Sequence, residues 1–217
     1  MKTITGIAVA LSLTSIQAVD AEIVQSDALP QGVTVDLSVL PTNSPLAADD
    51  AAFRAAGIQS IRVDNRPSTN SEYYDGGIFG AGRALFGTES GELIALDQGF
   101  TPDYGSPTFT IDFSQRVDAF GMRIADTSQF YATPQIDFFR DEQLIESIVL
   151  SESYDARTAF GFSSAIGFDR VVINTDIDGS GFGFDGVGIT DLTTSVPEPA
   201  SLSMLAMGSL LLRRRRR

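Results

Sequence analysis

Short runs of alternating apolar and polar residues dominate the interior of the chain. The alternation is clear over residues 109–113, and it recurs in two later runs, one with Phe120, Met122 and Ile124 and one with Ile136 and Phe138. A period of two puts successive side chains on opposite faces of a strand, so these runs predict half-buried β-strands. Further apolar runs predict strands over residues 33–40, 58–63, 83–87, 93–96, 144–150, 159–162 and 168–173. Turns are predicted between strands at residues 133–134, 140–142 and 163–164.

This spacing of strands predicts a mainly β fold, an antiparallel β-sandwich of jelly-roll type. One short helix is predicted over the Ala-rich residues 47–56. Ser44 is suited to its N-cap, Pro45 to its first helical position, and Gly57 to a left-handed stop.

Three further local features are predicted around these elements. The helix should pack Leu46 and Phe53 onto the sandwich, and residues 65–82, rich in Gly and Tyr, should form a long loop. The apolar phase changes within the last strand, which predicts a β-bulge near Asp185 and Gly186.

The first 21 residues have the composition of a secretory signal peptide. Lys2 gives a short positive start, residues 4–13 are mostly apolar, and cleavage is expected after Ala21. This apolar run is too short to span a bilayer, which takes about 20 residues. The alternative, an amphipathic N-terminal helix, would need a polar face that the segment lacks.

A second signal follows the predicted β domain. It consists of a Pro-Glu-Pro motif, an uncharged stretch over residues 200–212 and a terminal run of arginines. As a helix, those 13 residues would extend about 20 Å, against about 30 Å of hydrocarbon, so a transient anchor is expected. The residues of this signal are Pro197, Glu198, Pro199, Arg213, Arg214, Arg215, Arg216 and Arg217.

This order of parts resembles the PEP-CTERM sorting signal of bacterial surface proteins, although the apolar stretch is shorter than is usual there. The resemblance implies processing near the motif by the membrane protease-transpeptidase exosortase, followed by release or attachment at the surface. It divides the chain into a signal peptide (1–21), a β-sandwich domain (22–195) and a sorting signal (196–217). The alternative is a plain C-terminal membrane anchor with a basic stop-transfer end.

The predicted domain itself resembles PEP-CTERM passenger domains of the β-sandwich kind. The likeness lies in residues 117–122, in the pair of runs 160–162 and 168–171, and in residues 181–187. It implies a lectin-like or galactose-binding-like sandwich in bacteria that make exopolysaccharide, where such proteins belong to biofilm or floc material. A fold of this kind does not fix a function.

The amino-acid composition excludes several kinds of catalytic and metal-binding site. The chain has no His, Cys or Trp, which excludes the Ser-His-Asp triad, thiol catalysis, disulfides and histidine or thiolate metal sites. Without the two terminal signals, 26 of the 28 acidic residues and 9 of the 15 basic ones remain, a net charge of −17. Such a domain repels nucleic acid, and it would need a bridging cation to hold an anionic polysaccharide.

One segment resembles the first half of a calcium-binding loop. Asp176, Asp178 and Ser180 stand at positions 1, 3 and 5, and Gly181 stands at position 6. The loop has no acidic residue at position 12, so it is not an EF-hand, although Asp185 could supply a ligand from the following strand. An ordinary Asp/Gly turn is the alternative, because the same residues favour turns. Calcium is therefore a possible cofactor of this segment and no other cofactor is expected.

Tyr73 and Tyr74 are candidates for stacking on sugar rings from the predicted long loop. A calcium-assisted carbohydrate-binding module is accordingly one alternative function. A carboxylate glycosidase is another, but no pair of acids stands out as catalytic, so we expect no enzyme activity. The sequence thus predicts an exported, acidic, non-enzymatic protein of the cell surface or extracellular matrix. Its partners would be the export machinery, exosortase and polysaccharide but not nucleic acid, and its precursor would pass through the inner membrane.

Overall fold

The computed structural model describes residues 23–66, 83–87, 92–96, 106–126, 134–150, 159–175 and 187–195 of the 217-residue chain. Within these ranges the protein is mainly β, with one short α-helix, as predicted. The elements are β1 (Ile23–Ser26), β2 (Val33–Thr34), a 3-10 turn (Leu37–Val39), α1 (Ala51–Ala55), β3 (Ile58–Arg66), β4 (Ala84–Gly87), β5 (Leu93–Leu96), β6 (Ser106–Asp126), β7 (Gln135–Arg140), β8 (Gln143–Val149), β9 (Ala159–Asn174) and β10 (Val187–Ser195).

All of the described strands belong to one antiparallel sheet. Its main order is β5-β4-β10-β6-β9-β7-β8, with β1 added to β9, β2 to β10 and β3 to β6. The central strand β6 is long enough to pair with β3 along its first half and with β10 along its second, while β9 lies along its other edge. Strands β6 and β9 therefore hold the whole sheet together.

Strands β6 and β9 each replace two shorter strands that the sequence predicts. The runs at 109–113 and 120–124 both belong to β6, and those at 159–162 and 168–173 both belong to β9. The turn predicted at residues 163–164 is wrong, because strand pairing continues through it. Irregularities take the place of turns: the register shifts twice between Asp112 and Ala119 in β6, and Gly167 has a φ of 70° in β9.

These irregularities bend the sheet back on itself. Phe138 of β7 is opposite Val171 of β9, and Phe162 precedes Val171 by nine residues, about 30 Å along a straight strand. The rings of Phe138 and Phe162 are nevertheless only 5.1 Å apart between centroids. Likewise Phe113 and Phe120 of β6, about 23 Å apart on a straight strand, have centroids separated by 6.1 Å. The two parts of the sheet thus enclose an aromatic core.

The helix is shorter than predicted and begins later. It starts after Asp50, whose carboxylate accepts the Ala52 N–H at 2.9 Å, so the predicted N-cap at Ser44 is wrong. The preceding residues pair instead with the edge strand β5, where the Leu46 N–H donates to the Leu93 carbonyl oxygen at 2.7 Å. A backbone already bonded to a strand edge cannot also form a first helical turn.

The predicted end and packing of the helix are confirmed. Gly57 has a φ of 75° and Phe53 of the helix is fully buried, whereas Leu46 packs against the core from the segment that precedes the helix. The turn predicted at 140–142 is also confirmed, since Asp141 and Glu142 both have positive φ between β7 and β8, as a tight hairpin requires.

The strand predicted over residues 33–40 and the start of the loop predicted over residues 65–82 differ from the structure. The strand predicted over 33–40 is only two residues long, because Asp36 accepts the Ser38 N–H and caps a 3-10 turn. Hydrogen bonds from the Ser38 hydroxyl and N–H lower the pKa of Asp36. In β10 the described register shift lies between Thr190 and Thr193, around Asp191 with a φ of 52°. The bulge predicted at 185–186 and the loop at 67–82 lie outside the described residues, whereas residues 65–66 continue β3.

Candidate functional site

The site residues predicted from the sequence lie outside the described residues. They are Ala21 of the signal peptide, Tyr73 and Tyr74, the calcium candidates Asp176, Asp178, Ser180 and Asp185, and all of the sorting-signal residues. In the part of the chain that the structure does describe, no three acidic side chains converge as metal ligands. The described residues instead form a different site, an open cleft on the outer face of the sheet.

A row of four paired residues crosses this cleft. Val24 of β1 is opposite Ser163 of β9, Ser163 is opposite Ala119 of β6, and Ala119 is opposite Ser195 of β10. All four line the cleft. Their sequence neighbours Phe120 and Phe162 point into the core, so the cleft is on the face that the core leaves free.

The segment of residues 28–32, between β1 and β2, forms one wall of the cleft by lying directly on the sheet. Gly121 and Gly161 are paired across β6 and β9 beneath it. A Cβ on Gly121 would overlap Pro30, and a Cβ on Gly161 would overlap the carbonyl oxygen of Ala28. The two glycines are therefore needed for the segment to approach this closely.

The opposite wall is the bend of β9. There the Ser164 hydroxyl accepts the Ile166 N–H at 3.3 Å, and Ala165 and Ile166 line the cleft. Gly167 follows with its positive φ and turns the strand back toward the core. The bend that closes the fold thus also shapes the site.

Asp118 reaches the cleft because the alternation of faces along β6 is interrupted at this point. Val117 and Phe120 both belong to the core, although residues three apart on a regular strand lie on opposite faces. The pairing with β9 is irregular at the same point, because Val117 is opposite Phe168 and Ala119 is opposite Ser163, so that two steps of β6 face five of β9. Asp118 and Ala119 both line the cleft at this irregularity.

The Asp118 carboxylate has no partner among the described residues. Its Oδ1 atom is sealed from solvent and accepts no hydrogen bond. An oxygen in this state costs the folded protein about 1–3 kcal/mol. The cleft has a volume of about 550 Å³, and its ten lining residues include no Arg or Lys. Asp118 is therefore an uncompensated negative charge in a site of small-molecule size.

A second charged cluster, around Asp112, is satisfied by the protein itself. Its carboxylate accepts hydrogen bonds from Arg170 Nε at 2.6 Å, Arg62 Nη2 at 2.8 Å and Ser60 Oγ at 3.0 Å. Burial alone would raise the pKa of Asp112, but these three donors outweigh burial and hold the pKa below its usual 3.8. Because the donors come from β9 and β3, on either side of β6, the cluster ties three strands together.

Sequence reasoning did not find the cleft. The spacing of Val117 and Phe120 was a usable signal, because two core residues three apart on a strand require a bulge between them. Nothing local indicated that Gly121 and Gly161 would be paired, or that residues 28–32 would lie on them. Those facts depend on strand register.

Comparisons with protein-family models, curated proteins and solved structures find no match to this chain. Its function has to be argued from its own residues. Among the described residues, no helix is long and apolar enough to cross a membrane.

Proposed function

We propose that this protein is an exported component of the bacterial cell surface or extracellular matrix. Its β domain would be carried there by a signal peptide and sorted by a PEP-CTERM-type tail, and its role would be structural or adhesive, in association with exopolysaccharide. The observation that carries this proposal is the order of parts in the sequence. A short apolar leader precedes an acidic β-rich domain, and a Pro-Glu-Pro motif, an uncharged stretch and five arginines follow it.

The positions of the outermost strands support two cleavage events. Strand β1 begins two residues after Ala21, and β10 ends two residues before Pro197. Both strands are paired within the sheet, and the N–H of the buried Ile23 donates to Glu146 Oε2 at 2.6 Å. Removal of either terminal signal would leave every described strand and its pairing intact.

We further propose that the sheet is a sandwich of the jelly-roll, lectin-like kind. The ring contacts of Phe138 with Phe162 and of Phe113 with Phe120 support a face-to-face arrangement of its two parts. The absence of His and Cys from the whole chain supports a non-enzymatic role, because it removes the commonest nucleophile–base pairs.

The test is expression in an exosortase-bearing bacterium and in the same strain with exosortase deleted. Antibodies against the β domain would follow the size and location of the protein. We expect a shortened, surface-exposed form in the first strain and an unprocessed, inner-membrane form in the second. A chain with Pro197→Ala and Glu198→Ala should remain unprocessed, while the matched control Ser201→Ala should be processed normally. Equal processing and surface exposure in both strains would contradict the proposal.

A further inference from the structure

Asp118 lines the cleft with its carboxylate side chain, one oxygen of which is buried without a hydrogen-bond donor. Asp118 Oδ1 is inaccessible to solvent and accepts no hydrogen bond from any described residue, while the rest of the side chain lines the cleft. The ligand that this site favours is therefore one that donates hydrogen bonds, and a carboxylate accepts two adjacent hydroxyls well.

The charge of the residues that line the cleft further restricts the class of ligand. Asp118 is the only charged residue among the ten that line the cleft, and the surrounding domain is strongly acidic. Anionic sugars and phosphates would be repelled. A calcium ion would need six to eight oxygen ligands, and no cluster of three acidic side chains exists among the described residues. Among the polysaccharides that the proposed function names, an uncharged polymer with several free hydroxyls fits this charge best.

The other residues that line the cleft suit both surfaces of a sugar ring, its hydroxyl groups and its apolar C–H faces. Gln31, Ser163 and Ser195 present amide and hydroxyl groups that can donate to or accept from ring hydroxyls. Pro30 and Ile166 present apolar surface on opposite walls, against which the C–H faces of a ring can pack. Sites for small ligands combine apolar lining with a few placed polar groups and have volumes of about 300–1,000 Å³, a range that includes this cleft.

We propose that this cleft binds uncharged sugar units of a polysaccharide, with Asp118 accepting hydrogen bonds from ring hydroxyls. The proposal uses neither of the predicted sugar-stacking residues Tyr73 and Tyr74, and it does not require calcium. The inference rests on the proposed association with polysaccharide, and it adds the chemical class of polymer and the residues that hold it. It does not depend on how the tail is processed.

The test is isothermal titration calorimetry of the full 217-residue chain, purified in mild detergent, with EDTA in the buffer. The probes are uncharged hexasaccharides of β-1,4-linked glucose, mannose and galactose, and hexagalacturonate as the anionic comparison. We expect saturable binding of at least one uncharged probe and none of hexagalacturonate. The measurement uses purified protein, so it is independent of the exosortase experiment, and either proposal can fail alone.

Three variants locate the binding. Asp118→Asn keeps the shape of the side chain and removes its charge, and it should weaken binding by about tenfold. Ser163→Ile adds bulk at an exposed strand position on the cleft floor and should abolish binding. The matched control Asp64→Asn, at an exposed position on β3 away from the cleft, should bind like the wild type.

The proposal is overturned if none of the uncharged probes binds, or if hexagalacturonate binds as tightly as they do. It is also overturned if Asp118→Asn and Ser163→Ile both bind like the wild type, because the sugar would then lie elsewhere on the protein. Circular dichroism of each variant checks that it is folded. If Ser163→Ile is not folded, Asp118→Asn decides alone, and wild-type binding by that variant then overturns the proposal.

Discussion

Replacing Gly161 by alanine tests whether residues 28–32 really lie on the sheet. The added Cβ would stand less than 3.0 Å from the carbonyl oxygen of Ala28 and 2.6 Å from Ser26 Oγ, whereas ordinary contacts begin at about 3.4 Å. A side-chain rotation could move the Ser26 hydroxyl aside, but the Ala28 oxygen belongs to the backbone. Strand β9 is held by β1 on one edge and β6 on the other, so the segment has to move.

The expected cost follows from two opposing effects. Overpacking of this kind destabilises a folded protein by about 1–3 kcal/mol. Alanine also restricts the unfolded chain, which returns about 0.4–1 kcal/mol. The clash is with backbone and cannot be relieved cheaply, so the first effect is larger. We expect Gly161→Ala to lower the free energy of unfolding by about 1–2 kcal/mol and to weaken sugar binding in the cleft, because one wall is displaced.

Urea denaturation followed by circular dichroism measures this change, as a lower midpoint with an unchanged m-value. Ser163→Ala is the matched control. It also places an alanine on this face of β9, two residues along and at an exposed position, but adds no Cβ, and it should change stability by less than about 0.5 kcal/mol. If Gly161→Ala is as stable as the wild type, residues 28–32 do not lie on the glycine pair, and the cleft loses that wall.

The remaining predictions concern the sheet, its core and the calcium hypothesis. Asp112→Asn should cost about 1–2 kcal/mol at neutral pH. The native pKa of Asp112 lies below 3.8, so the stability that its carboxylate contributes is complete above that pH and is lost as the pH falls toward the native pKa. The stabilities of wild type and Asp112→Asn should therefore converge in acid denaturation. A constant difference between them would contradict this account. Phe138→Ala removes a fully buried ring with two ring neighbours at 5.1 Å, and it should lower the free energy of unfolding in urea by about 3–5 kcal/mol. The control is Leu144→Ala on the adjacent strand, where the leucine is 54% exposed and the cost should be less than about 0.5 kcal/mol. The calcium hypothesis predicts a calorimetric heat of Ca²⁺ binding that disappears in the double variant Asp176→Ala, Asp178→Ala, and a wild-type titration without heat would refute it.

The alternation of apolar and polar residues determined where strands form. Residues 109–113 and the run with Ile136 and Phe138 are strand in the structure, because a period of two is a local property of a half-buried strand. The apolar runs at 58–63 and over most of 144–150 are strand as well. The left-handed stop at Gly57 was equally local. The calcium candidates, the tyrosines and both terminal signals stay predictions, since they lie outside the described residues.

Only tertiary structure decided how the strands join and where the cleft lies. A bend within a strand and a turn between strands have similar local composition. The sequence could therefore not show that strand pairing in β6 and β9 continues through their bends. Residues 43–46 pair with β5 instead of starting a helix because a partner edge is present, which is a non-local fact. Asp118 lines a cleft because the interrupted alternation of β6, the paired Gly121 and Gly161, and the bend of β9 meet there. Their contacts are set by strand register between residues far apart in the sequence, and no local pattern encodes that register.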